Sequence, residues 1–141
     1  MKLYAYINPE LNILCCAFLK EAIPQGINAI EFDVDKPDNI IYDGRQIRLK
    51  TQDEQLKELK QKKLNELAMY VQSLLQPTDY IVLKISEAQA TNDNTLQTLQ
   101  TKYATQLQQR ASIRQWNENS KQAINNTTTI EQLFDINIEY K

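Results

Sequence analysis

The sequence contains no histidine, only two glycines, four prolines, three valines and two cysteines, the latter adjacent at Cys15 and Cys16. Each scarcity removes a class of chemistry. Without histidine there is no His-based triad, no zinc site of the two-histidine kind and no imidazole base. With glycine only at 26 and 44, no glycine-rich loop can cradle a phosphate. Two neighbouring cysteines cannot build a disulfide framework or a four-thiolate cluster, which fits a reducing compartment. On a strand their side chains point to opposite faces, so one is expected in the core and the other at the surface. Long apolar runs are missing too. The longest, Ile13 to Leu19, is seven residues, against the roughly 20 needed to cross a bilayer. Asn8, Pro9, Glu10 and Asn12 interrupt the apolar N-terminus where a signal peptide would continue. A soluble protein without a membrane partner is expected.

What is abundant is the amide: 28 of 141 residues are Asn or Gln. Sixteen basic and eighteen acidic residues leave a net charge of −2. The two signs are interspersed in both halves, so no basic face for nucleic acid is expected. The cluster Lys57, Lys60, Lys62 and Lys63 is offset by Asp53, Glu54, Glu58 and Glu66, the pattern of a solvated helix face with i,i+4 pairs.

Both glycines precede residue 45, and a change of period near residue 50 divides the chain into a β-hairpin module, residues 1–50, and an amphipathic helical region, residues 51–141. In the first part, Leu3 to Ile7 and Ile13 to Leu19 flank the turn Asn8-Pro9-Glu10-Leu11-Asn12 as a hairpin. Ile30-Glu31-Phe32-Asp33-Val34 alternates as a half-buried strand with Ile30, Phe32 and Val34 inward. Ile40 to Tyr42 and Arg45 to Leu49 flank Asp43-Gly44, read as a two-residue hairpin loop with positive φ at both positions.

Beyond Thr51, Leu56, Leu59, Leu64, Leu67, Val71, Leu74 and Leu75 recur at helical spacing up to Pro77. Thr78 to Ser86 suits either a buried strand or a helix, and Thr78 as N-cap favours helix. Leu96, Leu99, Tyr103, Leu107 and Ala111 continue the spacing to about Ile124 as one further long helix. Thr129 caps a last turn through Phe134, and Ile136 to Tyr140 alternates as a terminal strand. The fold class expected is therefore α+β: a small N-terminal antiparallel β module, then a long coiled-coil-like helical hairpin with a short terminal helix and strand. The helical stripes are thin, with four large apolar residues among the twelve from Leu96 to Leu107. Self-association or docking on a partner would complete them, so a homo-oligomer is expected, with Leu67, Val71, Leu74, Leu96, Leu99, Tyr103 and Leu107 as the interaction seam.

Candidate chemistry is sparse. The acidic run Glu31, Asp33, Asp35, Asp38 and Asp43 lacks the glycine and closing glutamate of a calcium loop and reads as a solvent-facing strand followed by turns. No metal, cofactor or catalytic residue is assigned, and no enzyme is expected. Tyr80, Tyr103, Trp116 and Arg114 could stack on a base, but at helical spacing aromatics more often belong to a core or seam.

Three stretches carry a family resemblance. They are the opening Lys2-Leu3-Tyr4-Ala5-Tyr6-Ile7-Asn8 with Pro37 to Ile47, the segment Pro77-Thr78-Asp79-Tyr80-Ile81-Val82-Leu83-Lys84, and the ending Ala123 to Leu133. Together they resemble tail-associated accessory proteins of bacteriophages and prophages, in particular the tail fibre assembly group. The second stretch looks like that group's Thr-Asp-aromatic-apolar-apolar-basic segment, with Tyr80 where tryptophan is commoner. The resemblance implies a non-enzymatic protein that binds tail fibre or other tail proteins, as an assembly chaperone or virion component. It would act in the host bacterial cytoplasm during assembly, or in the virion tail. The alternative is a cellular coiled-coil adaptor or scaffold without a viral role.

Overall fold

The computed structural model describes residues 1–141 and is α+β, as the sequence leads one to expect. Two compact units, Met1–Gln55 and Leu56–Lys141, divide it close to the change of period.

In the first unit, β1 (Lys2–Asn8) lies between β2 (Ile13–Ala17) and β3 (Ile30–Asp33), antiparallel to both. The β1–β2 turn forms where expected. Asn8 Oδ1 accepts from the backbone N–H groups of Glu10 and Leu11, and Asn12 takes a positive φ of 52°. Residues paired across an antiparallel ladder share a face. Leu3, Ala5, Phe32, Ile30 and Cys16 are therefore on one side, and Lys2, Tyr4, Glu31, Asp33 and Ala17 on the other. Leu3, Ala5, Val34 and Ile40 form the core, joined by Leu14, Phe32 and Ile47. A second, two-stranded sheet pairs β4 (Ile40–Tyr42) with β5 (Ile47–Leu49).

Three details of the first unit differ from the sequence reading. Ile30 is 47% exposed, because it opens an edge strand. Neither cysteine is in the core: Cys15 is half-buried and Cys16 exposed, since β2 is the other edge. The β4–β5 connection is longer than Asp43-Gly44. Only Gly44 has positive φ, +88°, while the Asp43 carboxylate accepts from the N–H groups of Arg45 and Gln46 and so acts as the turn's first residue.

α1 (Gln52–Leu75) starts at a reciprocal cap. Thr51 Oγ1 accepts from Glu54 N, and the Glu54 carboxylate accepts from Thr51 N. After a 3-10 turn at Gln76–Thr78 the chain continues as α2 (Asp79–Ala90), so Thr78 to Ser86 is helical apart from its first residue. The expected single helix after the Ala90–Thr95 turn is two, α3 (Leu96–Lys102) and α4 (Ala104–Asn125). They part at Tyr103, whose ring is buried edge-to-face against Tyr80, and Thr101 ahead of it turns its hydroxyl back to the Gln97 carbonyl. α5 (Ile130–Phe134) is capped by Thr129, whose hydroxyl accepts from Gln132 N.

The core of the second unit is Leu67, Val71, Ile113, Ile124 and Leu133, with Trp116, Ile136, Ile138 and Tyr140 packed on it. Residues Ile136 to Tyr140 form no strand, because their neighbours are helices that offer no ladder. The alternation survives as packing: Ile136, Ile138 and Tyr140 turn inward, and Trp116 stands edge-to-face between Tyr70 and Tyr140. Ile136, Ile138 and Tyr140 thus cover part of the α1 and α4 stripes, while Leu96, Leu99 and Leu107 lie outside this cluster. Leu67 is fully buried. Leu67→Ala is expected to destabilise the helical unit by about 2–5 kcal/mol, read from urea unfolding followed by the fluorescence of the single tryptophan, Trp116.

Candidate functional site

The seven seam positions are distributed unevenly. Leu67 and Val71 are in the intramolecular core, with Leu74 half-buried against it. Tyr103 is buried, whereas Leu96, Leu99 and Leu107 are half-buried outside that cluster. The surface carries a different apolar set. Leu11, Phe18 and Leu19 around β2, and Met69, Leu83 and Phe134 in the helical unit, are each 65% exposed or more. Periodicity did not single out these residues. The signal that does is apolarity at positions out of phase with the core stripe, as at Met69 and Leu83, or outside a strand's paired residues, as at Leu11, Phe18 and Leu19.

Of the acidic run, Glu31, Asp33 and Asp43 are engaged within the chain, whereas Asp35 and Asp38 are exposed. Glu31 pairs with Lys2 at 2.8 Å, which holds its carboxyl below the usual range, and Asp33 is lowered by its hydrogen bond to the N-terminal ammonium, also 2.8 Å. Burial, then the Glu31 charge, push the Tyr4 phenol up. Asp43 falls to about 2, first through the Gln46 N–H and then through the Arg48 guanidinium. Arg48 also forks onto Glu54 at 2.8 and 2.9 Å, and that contact, with the Thr51 N–H, brings Glu54 down to about 2. All these carboxylates are held as anions, the opposite of what a general acid needs. A pocket of about 410 Å³ between the loop 18–29 and the polar sheet face is lined by Tyr4, Lys20, Ile23, Pro24, Ile27 and Glu31, among others. Partial desolvation, then the adjacent Cys15, raise the Cys16 thiol. Lys60, read as one of a helix-face cluster, donates to the Asn125 carbonyl and so caps the end of α4.

One residue that the sequence did not mark organises the helical unit. Arg110 on α4 is only 6% exposed. Its Nη1 donates to the Leu75 carbonyl and to Thr78 Oγ1, both at 2.7 Å, and its Nη2 to Asp79 Oδ1 at 2.9 Å. Thr78 is therefore not the side-chain N-cap of α2: its hydroxyl donates to the Leu75 carbonyl and accepts from Arg110. The Thr78-Asp79 pair that carries part of the family resemblance is thus a structural joint. Tyr80 lies beside it, edge-to-face with Tyr103 and under the Lys84 ammonium.

Two outcomes follow from these contacts. Arg110→Ala strips the Leu75 carbonyl and Thr78 hydroxyl of their charged donor and should cost about 1–3 kcal/mol, measured by urea unfolding, with Arg110→Lys recovering part of it. Asp43 and Glu54 have folded values below their unfolded ones. Their contribution to the first unit is complete above about pH 5 and is lost as pH falls towards about 2. Arg48→Gln should shift both carboxyl titrations upward in NMR, Glu54 more than Asp43, because a backbone N–H is the main contact of Asp43.

No family model, curated protein or solved structure matches this chain.

Proposed function

We propose that this chain is a phage or prophage tail accessory protein that binds tail fibre or other tail proteins, as an assembly chaperone or a particle component, and catalyses no reaction. The observation that carries the reading is the apolar surface. Six large apolar side chains are 65% exposed or more, and they occur in both units. Two of their residue types, Phe and Met, are enriched in protein–protein interfaces. Leu67, Val71, Ile113, Ile124 and Leu133 form the core of the helical unit, and Met69, Leu83 and Phe134 stay outside it. The three resembling stretches supply the partner class. Carboxylates held as anions, and the lack of any helix long and apolar enough to cross a membrane, are consistent with a binding role.

The cellular adaptor reading draws on Tyr80 and Leu83. Three residues apart on α2, they are 49% and 69% exposed and form an apolar strip of the kind that docks in a groove.

The test is co-expression with the tail fibre protein encoded nearest to this gene, followed by size-exclusion chromatography with light scattering. The expected result is a common peak, weakened by Leu83→Glu or by Phe18→Glu. Separate elution, with the fibre protein equally soluble whether or not this chain is present, would overturn the reading.

A further inference from the structure

The cavity on the polar face of the three-stranded sheet has a fixed frame. One row of residues crosses that face: Ala17, Tyr4 and Glu31 stand opposite one another on β2, β1 and β3. Ala17 is buried, whereas Tyr4 and Glu31 line the cavity. The loop 18–29 facing them is held by its own backbone. Ala22 and Ile23 N–H groups donate to the Leu19 and Lys20 carbonyls, and Ile27 N–H closes a turn onto the Pro24 carbonyl, in which Gly26 takes a φ of +84°. Ile23 and Ile27 are half-buried, yet neither belongs to the core of the unit; both line the cavity instead. Apolar walls with a few polar groups on a preformed frame suit a small ligand. About 410 Å³ is at the lower end of the roughly 300–1,000 Å³ that such sites span.

The charges decide the sign of the ligand. Glu31 is engaged by Lys2 at 2.8 Å. Lys20 lines the cavity, and its ammonium is near enough to help hold the Glu31 carboxyl down, yet it makes no ion pair within the chain. Glu21, next to it in sequence, is outside the lining. The uncommitted charge at the cavity is therefore positive. We propose that this cavity binds a small organic carboxylate, with its anionic group on the Lys20 ammonium and its apolar body between the Tyr4 ring, Ile23 and Ile27. A free acid and the C-terminal end of a peptide share this chemistry.

Titration of the isotope-labelled full chain with hydrocinnamate at neutral pH, read from backbone amide shifts in NMR, tests the site. Saturable shifts are expected at Tyr4, Ile23, Ile27 and Ala29. Neutral hydrocinnamamide should bind more weakly. Lys20→Gln should weaken the acid roughly fivefold, the upper end for a solvent-exposed ion pair. Lys36→Gln, at an exposed lysine outside the lining, should leave it unchanged. A tripeptide ending in an aromatic residue with a free carboxylate identifies the source: tighter binding than hydrocinnamate assigns the site to a peptide end, equal or weaker binding to a free acid. The absence of saturable shifts, shifts confined to residues away from the cavity, or an acid affinity unchanged by Lys20→Gln overturns the proposal. Equal affinity for acid and amide overturns it too, and that comparison needs no variant. The site lies within the first unit and its test involves no tail protein, so failure here leaves the tail-binding reading intact.

Discussion

The helical unit depends on one buried guanidinium. Pro77 cannot donate a backbone hydrogen bond, and around it the chain tightens from α to 3-10, so that Asp79 N–H turns to the Gln76 carbonyl. At this joint the Leu75 carbonyl accepts from the Thr78 hydroxyl and from Arg110. A group left unpaired there would cost on the order of 1–3 kcal/mol. The solution also ties α4 to the junction of α1 and α2. That is why Pro77 produces a joint in a continuing helical path rather than an end. An exposed ion pair such as Lys121–Glu118, worth roughly 0–1 kcal/mol, has no comparable consequence.

In the first unit Arg48 has a related task under more solvent. It bridges the Asp43 turn and the Glu54 cap, so the β4–β5 connection and the start of α1 share one cation. The small core of Leu3, Ala5, Val34 and Ile40 leaves β2 with an apolar edge and apolar flanks. Small units keep a large part of their surface open.

These features join structure to the proposed binding role. A chain that completes its helical core with its own last residues can present Leu83, Met69 and Phe134 outward. Glu31, Asp43 and Glu54 are held as anions by cations and backbone N–H groups, and so act as structural ties. Most of the amides are exposed, where they add hydrogen-bonding capacity without net charge.

Local patterns were readable wherever the deciding interaction is local. The Asn8 turn, the hairpin of β1 with β2, the stripe from Leu56 to Leu75 and the Thr129 cap all follow from spacing and short-range hydrogen bonds, and so does the α+β class. Other features were decided by partners distant in sequence. Ile136 to Tyr140 has a strand's period yet packs on helices, because only the folded unit determines whether a ladder or an apolar face awaits it. The break at Tyr103 answers to Tyr80, and Arg110 looks in the sequence like any surface arginine until α4 brings it to the joint 31 residues away. The scarcity of glycine, proline and histidine already excluded phosphate loops and imidazole chemistry, because those need particular residue types. Which apolar residues remain outside was settled only by tertiary packing, because burial is a property of the neighbours a side chain meets.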